Sequence, residues 1–179
     1  MQDAKIEVVP YSPSWPEQFA TESALLTSRL QPWLAGAPEH IGSTAVPGLS
    51  AKPVIDIMAP VCSLETSRAA IPAAEALGYV HFPYKPDVMH WFCKPSPAHR
   101  THHLHLVPFD SPLWRERLAF RDALRSSPTL VAEYQALKLR LAALHSTDRE
   151  AYTEAKSPFI QATVSAFNHG AASQETPRK

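Results

Sequence analysis

The chain has 179 residues, and its 17 basic and 17 acidic side chains give a formal net charge of zero at pH 7. This length fits one domain with a substantial core, because domains commonly run about 100 to 200 residues. The balanced charge excludes a global field that would draw the protein to nucleic acid or to an anionic membrane. Neither an apolar signal core nor a run of ~20 apolar residues is present, so we expect a cytoplasmic protein without membrane partners.

Six short segments in the first 108 residues carry strand signals. They are rich in β-branched and aromatic residues, and turn-forming residues border them. The predicted strands cover residues 6–9, 39–41, 54–61, 79–82, 89–94 and 101–107. Among them, the run at 54–61 has the strongest strand pattern.

Two helices are predicted between these strands. Ser14 and Glu17 have the spacing of a capping box, and the apolar stripe that follows them continues to a stop at Gly36. A second helix is predicted over residues 64–77. Pro72 lies inside it and removes one backbone hydrogen bond, so this helix should begin late or kink.

After Pro108 the pattern changes to apolar residues spaced by three and four. This spacing predicts three consecutive helices, over residues 111–125, 129–145 and 149–169. Residues 170–179 are small and polar, and we expect them to be disordered. The chain therefore reads as a single α/β (α+β) domain over residues 1–169, with a mixed sheet and its flanking helices in residues 1–108 and a helical part in residues 109–169.

Asp56 is the single carboxylate in the strand predicted at residues 54–61. Alternation of side chains places it on the same face as Val54 and Met58. Desolvating a carboxylate is costly unless a partner, a metal or a ligand compensates it. Asp56 is therefore the first candidate for a functional site.

The turn before this strand contains Gly42, Ser43 and Thr44. Its backbone N–H groups and two hydroxyls are of the kind that hold phosphate oxygens, and Lys52 adds a positive charge. The alternative is an ordinary structural turn, since Gly-Ser pairs are common in turns.

Three histidines lie on the strand predicted at residues 101–107. Alternation puts His103 and His105 on one face, where they form a candidate metal-binding or acid–base pair. His102 lies on the other face and is interpreted as a hydrogen-bonded core residue. A structural role is the alternative for each histidine taken singly.

Three cationic residues of the predicted helices are candidates for contacts to phosphate. Lys138 and Lys156 border apolar stripes, where the alternative is a buried stem with the ammonium group in water. Arg121 could bind phosphate in a bidentate manner, or could pair with the neighbouring Asp122.

Four blocks of the chain resemble the GrpB family, which belongs to the nucleotidyltransferase superfamily: HIGSTAVPGLSAKPVIDI, RTHHLHLV, LAFRDALR and DREAYTEAKSPFI. The resemblance runs from about residue 9 to residue 167. It implies a nucleotidyltransferase-like core, and in some bacteria a domain like this follows dephospho-CoA kinase in one polypeptide. It implies no particular reaction, because the family is largely without an established activity.

Within the superfamily pattern, Gly42 and Ser43 match the Gly-Ser turn and Asp56 matches the first acid of the strand. Met58 occupies the second acidic position, which puts two-metal transfer in doubt because two cations need bridging carboxylates. If their strand neighbours that of Asp56, His103 and His105 would complete a site for one divalent ion. Magnesium, manganese and zinc are the candidates, and imidazole ligands favour manganese, zinc or another transition ion over magnesium.

Three functions remain open on the sequence. The first is a nucleotidyltransferase-type enzyme that acts on a nucleotide or another phosphorylated small molecule. The second is a binding module that kept the pocket and lost the transfer chemistry, which the apolar Met58 would explain. The third is a structural or protein-interaction role, which leaves Lys52, Asp56 and the histidines without a purpose. Nucleic acid is not expected as a substrate, because there is no basic stripe with interleaved aromatic residues.

Overall fold

The computed structural model describes residues 5–174, which form a mixed five-stranded sheet with helices packed on it. The strands are β1 (Glu39–Ile41), β2 (Ile55–Val61), β3 (Val80–Phe82), β4 (His90–Pro95) and β5 (Arg100–Pro108). The helices are α1 (Trp15–Leu30), α2 (Ala70–Glu75), α3 (Pro112–Ser126), α4 (Pro128–Leu144), α5 (Arg149–Glu154) and α6 (Ser157–Gln174). The predicted α+β fold class is confirmed.

The sheet has the order β1-β2-β5-β4-β3. The two central neighbours, β2 and β5, run parallel, and every other adjacent pair is antiparallel. The register pairs Asp56 with His103 and Met58 with His105. Because directly paired residues point to the same face of a sheet, the register alone brings Asp56 and the two histidines to one surface.

The two faces of the central strands have different neighbours. Ile55 and Ile57 belong to the largest apolar cluster, which also contains Leu26 and Leu30 of α1. Met58, on the other face, packs in a cluster with Trp114 of α3. The first helices therefore cover one face, and the helical second half covers part of the face that carries Asp56.

Serine residues start the two helices that follow the sheet. The Ser111 hydroxyl accepts a hydrogen bond from the Trp114 N–H, and the Ser127 hydroxyl accepts one from the Leu130 N–H. In both cases proline follows the serine, at a position where a helix needs no N–H donor. The Ser111 cap fixes where α3 begins, and Ser127 lies between the two helices and fixes where α4 begins.

Two predictions near the N-terminus are wrong. Residues 6–9 do not form a strand, since only Val9 makes an isolated bridge, to Ala51. The proposed capping box is also absent: Ser14 has helical backbone angles, and its side chain accepts no capping hydrogen bond from the backbone of α1. Instead, Gln18 donates a side-chain hydrogen bond to the Ser14 hydroxyl.

Other helix boundaries differ from the predicted ones. The helix predicted over 64–77 begins late, at Ala70, and turns precede it, which is one of the two effects expected of Pro72. The helix predicted over 149–169 is divided into α5 and α6, because Pro158 lacks the N–H that a continuous helix requires.

The C-terminal boundary also differs, because α6 continues to Gln174. Residues 170–174 are therefore helical rather than disordered, and residues 175–179 lie outside the described part of the chain. Within residues 5–174, no helix is long and apolar enough to cross a membrane.

Candidate functional site

Asp56 and the two predicted histidines form one cluster. His103 Nδ1 donates a hydrogen bond of 2.8 Å to Asp56 Oδ1, and His105 Nε2 lies 3.8 Å from the same oxygen. The parallel pairing of β2 and β5 produces this contact, because it sets residues 47 positions apart directly side by side. The strand of the histidines, β5, is thus a direct neighbour of the Asp56 strand, β2, as the predicted site required.

The cluster is poised to hold a cation. Burial raises the pKa of Asp56, but the hydrogen bond from His103 and the proximity of the His105 imidazole outweigh this effect and hold the pKa well below its usual range. Burial lowers the pKa of His105, and its contact with Asp56 offsets this only in part. An ionised carboxylate beside a neutral imidazole is the protonation state in which both bind a metal.

The donor atoms also meet the spatial requirements of a metal site. One atom from each of Asp56, His103 and His105 lies within 4.8 Å of those of the other two. The Nε2 atoms of both histidines are buried and have no hydrogen-bond partner among residues 5–174. A buried polar nitrogen without a partner costs about 1–3 kcal/mol, so a ligand at this position would remove a penalty that the fold otherwise carries. Two imidazoles and one carboxylate suit zinc, manganese or a similar transition ion.

Gly42 allows the backbone to approach this carboxylate. Its φ is +72° and its ψ is −172°, a conformation that is essentially restricted to glycine. A Cβ atom at this position would lie 2.4 Å from Asp56 Oδ2. The glycine of the Gly-Ser turn is therefore required by both the backbone and the space beside Asp56.

Thr44, by contrast, serves the fold. Its hydroxyl donates a hydrogen bond of 3.1 Å to the Val54 carbonyl, and His40 Nε2 donates one of 3.0 Å to the hydroxyl oxygen. The hydroxyl therefore has no hydrogen left to donate to a phosphate, contrary to our expectation. It ties the turn after β1 to the start of β2, and so helps to position Asp56.

A cleft of about 400 Å³ opens in front of the cluster. Most of the residues predicted to bind phosphate lie along it. In addition to Asp56 and the two histidines, its lining includes Ser43, Thr44, Lys52, Lys138 and Lys156. The turn, the central strands and the C-terminal helices thus converge on one hollow.

The two lysines predicted on helices, Lys138 on α4 and Lys156 in the turn between α5 and α6, are held against the protein rather than extended into water. Lys138 is 2% exposed, its Nζ donates to the Ser50 carbonyl, and it lies 4.9 Å from the Tyr134 ring centroid. Lys156 lies 4.1 Å from the Tyr152 ring centroid. Burial lowers the pKa of Lys138 to about 7 and that of Lys156 to about 8. For Lys138, the interpretation as a buried stem with a solvated ammonium group is wrong.

Arg121 does not reach the cleft. It donates hydrogen bonds of 2.6 Å to Glu39 and 2.8 Å to Asp122, and it lines a separate cavity of about 280 Å³. The guanidinium is thus occupied by carboxylates of the protein itself. The ion pair with Asp122, which was the alternative for Arg121, is present, and Arg121 does not line the cleft that contains Asp56.

Arg117, one helical turn earlier on α3, is a cleft residue that the sequence analysis missed. It lines the hollow, and its Nε is buried without a hydrogen-bond partner among residues 5–174. The sequence of α3 contains Arg115, Arg117, Arg121 and Arg125. Helical spacing alone could not show which of them faces Asp56, because that depends on how α3 docks on the sheet.

The fold and the site together define a class of protein: an α+β domain whose parallel central strands present an Asp-His-His cluster to a cationic cleft. The chain belongs to the GrpB family, since the sequence pattern described as GrpB protein matches residues 5–166. The family predicted from the four sequence blocks is therefore confirmed.

Curated relatives are longer than the matched region. A UPF0157 protein of Pseudomonas aeruginosa is 41% identical over 164 residues, which cover 88% of this chain and 66% of that protein. UPF0157 protein YqkA of Bacillus subtilis is 32% identical, over 88% of this chain and 46% of its own length. A protein of Mycolicibacterium paratuberculosis named dephospho-CoA kinase is 28% identical, over 88% of this chain and 45% of that protein. The chain thus spans only about half to two thirds of these relatives.

Solved structures support the same fold. The crystal structure of conserved protein GrpB from Enterococcus faecalis is similar with a TM-score of 0.81 and 34% identity, over 90% of this chain and 96% of that one. A chain in a structure of the GLD-2/RNP-8 complex is similar with a TM-score of 0.55 and 10% identity, over 82% of this chain and 58% of that one. At that identity the second likeness concerns the fold alone.

Proposed function

We propose that the protein binds a nucleotide or another phosphorylated small molecule through one divalent metal ion held by Asp56, His103 and His105. The observation that carries this proposal is the position of the cluster. Its donor atoms converge, two of its imidazole nitrogens lack partners among the described residues, and it forms part of a cleft with cationic walls. When bound, the ion would polarise a phosphoryl oxygen of the ligand.

The charge of the cleft favours a polyanion. Six of its lining residues are Lys or Arg and three are Asp or Glu, which leaves an excess of three cationic side chains. Arg117 comes from α3, Lys138 from α4 and Lys156 from the turn between α5 and α6, whereas Ser43 and Lys52 come from the segment between β1 and β2. Phosphate oxygens in the cleft would therefore be contacted from two sides, and these contacts would orient the phosphate as well as neutralise its charge.

The site is built for one metal ion rather than two. Met58 occupies the position of the second superfamily acid, is 0% exposed, and packs with Ile41 and Trp114. No carboxylate is available there to bridge a second ion. Nucleotidyl or phosphoryl transfer at this cleft would therefore use a single ion and the cationic side chains to stabilise charge.

The burial of Met58 equally favours a second candidate function, a nucleotide-binding module without transfer chemistry. Replacement of Asp56 by Asn separates the two. In an enzyme the variant would lose turnover, whereas in a binding module it would change only the affinity for metal and ligand. The likeness to a protein named dephospho-CoA kinase makes dephospho-CoA and CoA sensible members of the ligand panel.

A thermal-shift screen of Zn²⁺, Mn²⁺ and Mg²⁺, with and without nucleotides, tests the proposal, together with elemental analysis of the purified chain. An ion at one hundred times its dissociation constant should stabilise the fold by about 2.7 kcal/mol. Asp56→Asn should abolish that shift, whereas Asp87→Asn, at an exposed loop position, should retain it. Equal metal responses of the two variants would refute the assignment of Asp56 as a ligand.

A further inference from the structure

Part of the cleft wall is aromatic rather than cationic. Phe82 ends β3, Tyr84 lies in the loop after it, and Trp91 lies on β4; all three line the same cleft as Asp56. We refer to these three residues as the aromatic wall. Phe82 is 49% exposed and Tyr84 is 39% exposed, so two large rings leave much apolar surface in water. A flat ligand group laid against them would remove that surface from water.

The aromatic wall is continuous and reaches the metal cluster. The register pairs Phe82 with Trp91, and their ring centroids lie 6.2 Å apart at 83°. Tyr84 contacts Trp91 in a similar manner at 6.1 Å. Trp91 in turn lies 5.1 Å from the ring of His103. A ligand that places a phosphate at the cluster would therefore have an aromatic surface directly beside it.

Cations accompany the rings. The Arg100 guanidinium lies 5.2 Å from the Trp91 ring centroid, and Lys85 Nζ lies 5.5 Å from that of Tyr84. Aromatic side chains combined with cationic groups are the usual means by which proteins hold a nucleobase together with its phosphates. A sugar phosphate or an inorganic polyphosphate would use the cations and leave the rings exposed.

We propose that Phe82, Tyr84 and Trp91 form a subsite for a planar aromatic ring, so that the ligand of the cleft is a nucleotide rather than a sugar phosphate or an inorganic polyphosphate. This inference rests on the proposed function, because it assumes that the phosphates occupy the cationic part of the cleft. It adds the chemical class of the group to which the phosphates are attached, which is a planar aromatic base.

Isothermal titration of the full chain, loaded with the ion selected in the screen, tests this subsite. The probes are ATP, GTP, CTP and UTP, with inorganic tripolyphosphate and ribose 5-phosphate for comparison. At least one nucleotide should bind roughly 5- to 150-fold more tightly than tripolyphosphate, which is the range that stacking of a base on aromatic side chains supplies.

Variants locate the effect. Phe82→Ala and Tyr84→Ala should each weaken binding of the preferred nucleotide by roughly fivefold or more and leave tripolyphosphate affinity unchanged. Phe109→Ala is the matched control, because Phe109 is 59% exposed and is not among the residues that line the cleft. It should bind every probe as the unmodified chain does.

The outcomes separate the two proposals. If tripolyphosphate binds in an Asp56-dependent manner but no nucleotide binds more tightly, the aromatic subsite is refuted and the proposed function stands. If Phe82→Ala and Tyr84→Ala weaken tripolyphosphate as much as nucleotides, the rings support the fold and the subsite is again refuted. If neither tripolyphosphate nor any nucleotide binds the metal-loaded chain, both proposals fail.

Discussion

Gly42 offers a direct test of the site because a Cβ atom added at this residue would collide with the Asp56 side chain. In Gly42→Ala the new methyl carbon would lie 2.4 Å from Asp56 Oδ2, whereas ordinary contact begins at 3.4 Å, so the oxygen must move by about 1.0 Å. Metal ligands keep their distances within about 0.2 Å, and a displaced carboxylate ceases to be one. We expect metal affinity to fall at least tenfold, in addition to a loss of about 1–3 kcal/mol of stability from the forced backbone angles.

Gly48→Ala is the matched control for this change. Gly48 also has a positive φ, of +79°, but an added Cβ would meet nothing within 4 Å. This variant should lose about 1–2 kcal/mol of stability and keep full metal affinity. Urea unfolding measures the stability of both variants, and titration with the selected ion measures their affinities. If Gly42→Ala bound the ion as tightly as Gly48→Ala, the close approach of Gly42 to Asp56 would be irrelevant to the site.

Three further predictions test the cleft. Arg117→Ala should weaken tripolyphosphate binding about tenfold, as expected for the loss of a charge-assisted contact, whereas the exposed Arg115→Ala should not change it in the same titration. Sulfate, whose own charge is constant from pH 7 to 9, should bind more weakly as the pH rises, because Lys138 and Lys156 lose their charge with pKa values of about 7 and 8. Its binding should also be accompanied by proton uptake, which calorimetry in buffers of different ionisation enthalpy measures. Binding without proton uptake would exclude these lysines as sulfate ligands. Met58→Asp should lower the free energy of unfolding by several kcal/mol in urea, and the variant should still bind no more than one metal ion per chain. Met58→Leu should lower the free energy of unfolding by less than about 1.5 kcal/mol.

Much of the site could be predicted because strand alternation is a local property. The sequence placed His103 and His105 on one face and His102 on the other, and the structure has the first two beside Asp56. The sequence could not show that β2 and β5 are parallel neighbours. Two intervening strands and a helix separate them along the chain, and pairing over such a distance depends on the whole sheet.

The helix residues were harder to assign, for a different physical reason. Helical periodicity predicts which residues share a stripe, but not how that stripe is aimed once the helix docks. The sequence analysis therefore named Arg121 as a phosphate ligand and missed Arg117, although Glu39 holds Arg121 away from the cleft. Thr44 shows the same limit for turns, since its hydroxyl is used by Val54, ten residues away.

The contrast between Asp56 and Met58 explains why β2 presents a single acid to the cleft. Both side chains point to the same face of β2, but α3 covers only the end near Met58, where Trp114 closes the apolar cluster. A carboxylate at residue 58 would be sealed beneath that helix, away from any ligand. Asp56 lies one strand repeat away, where the cleft opens and His103 and His105 stand opposite. The packing of α3 thus removes the place for a second acid, and β5 supplies the two imidazoles that, together with Asp56, form the proposed metal site.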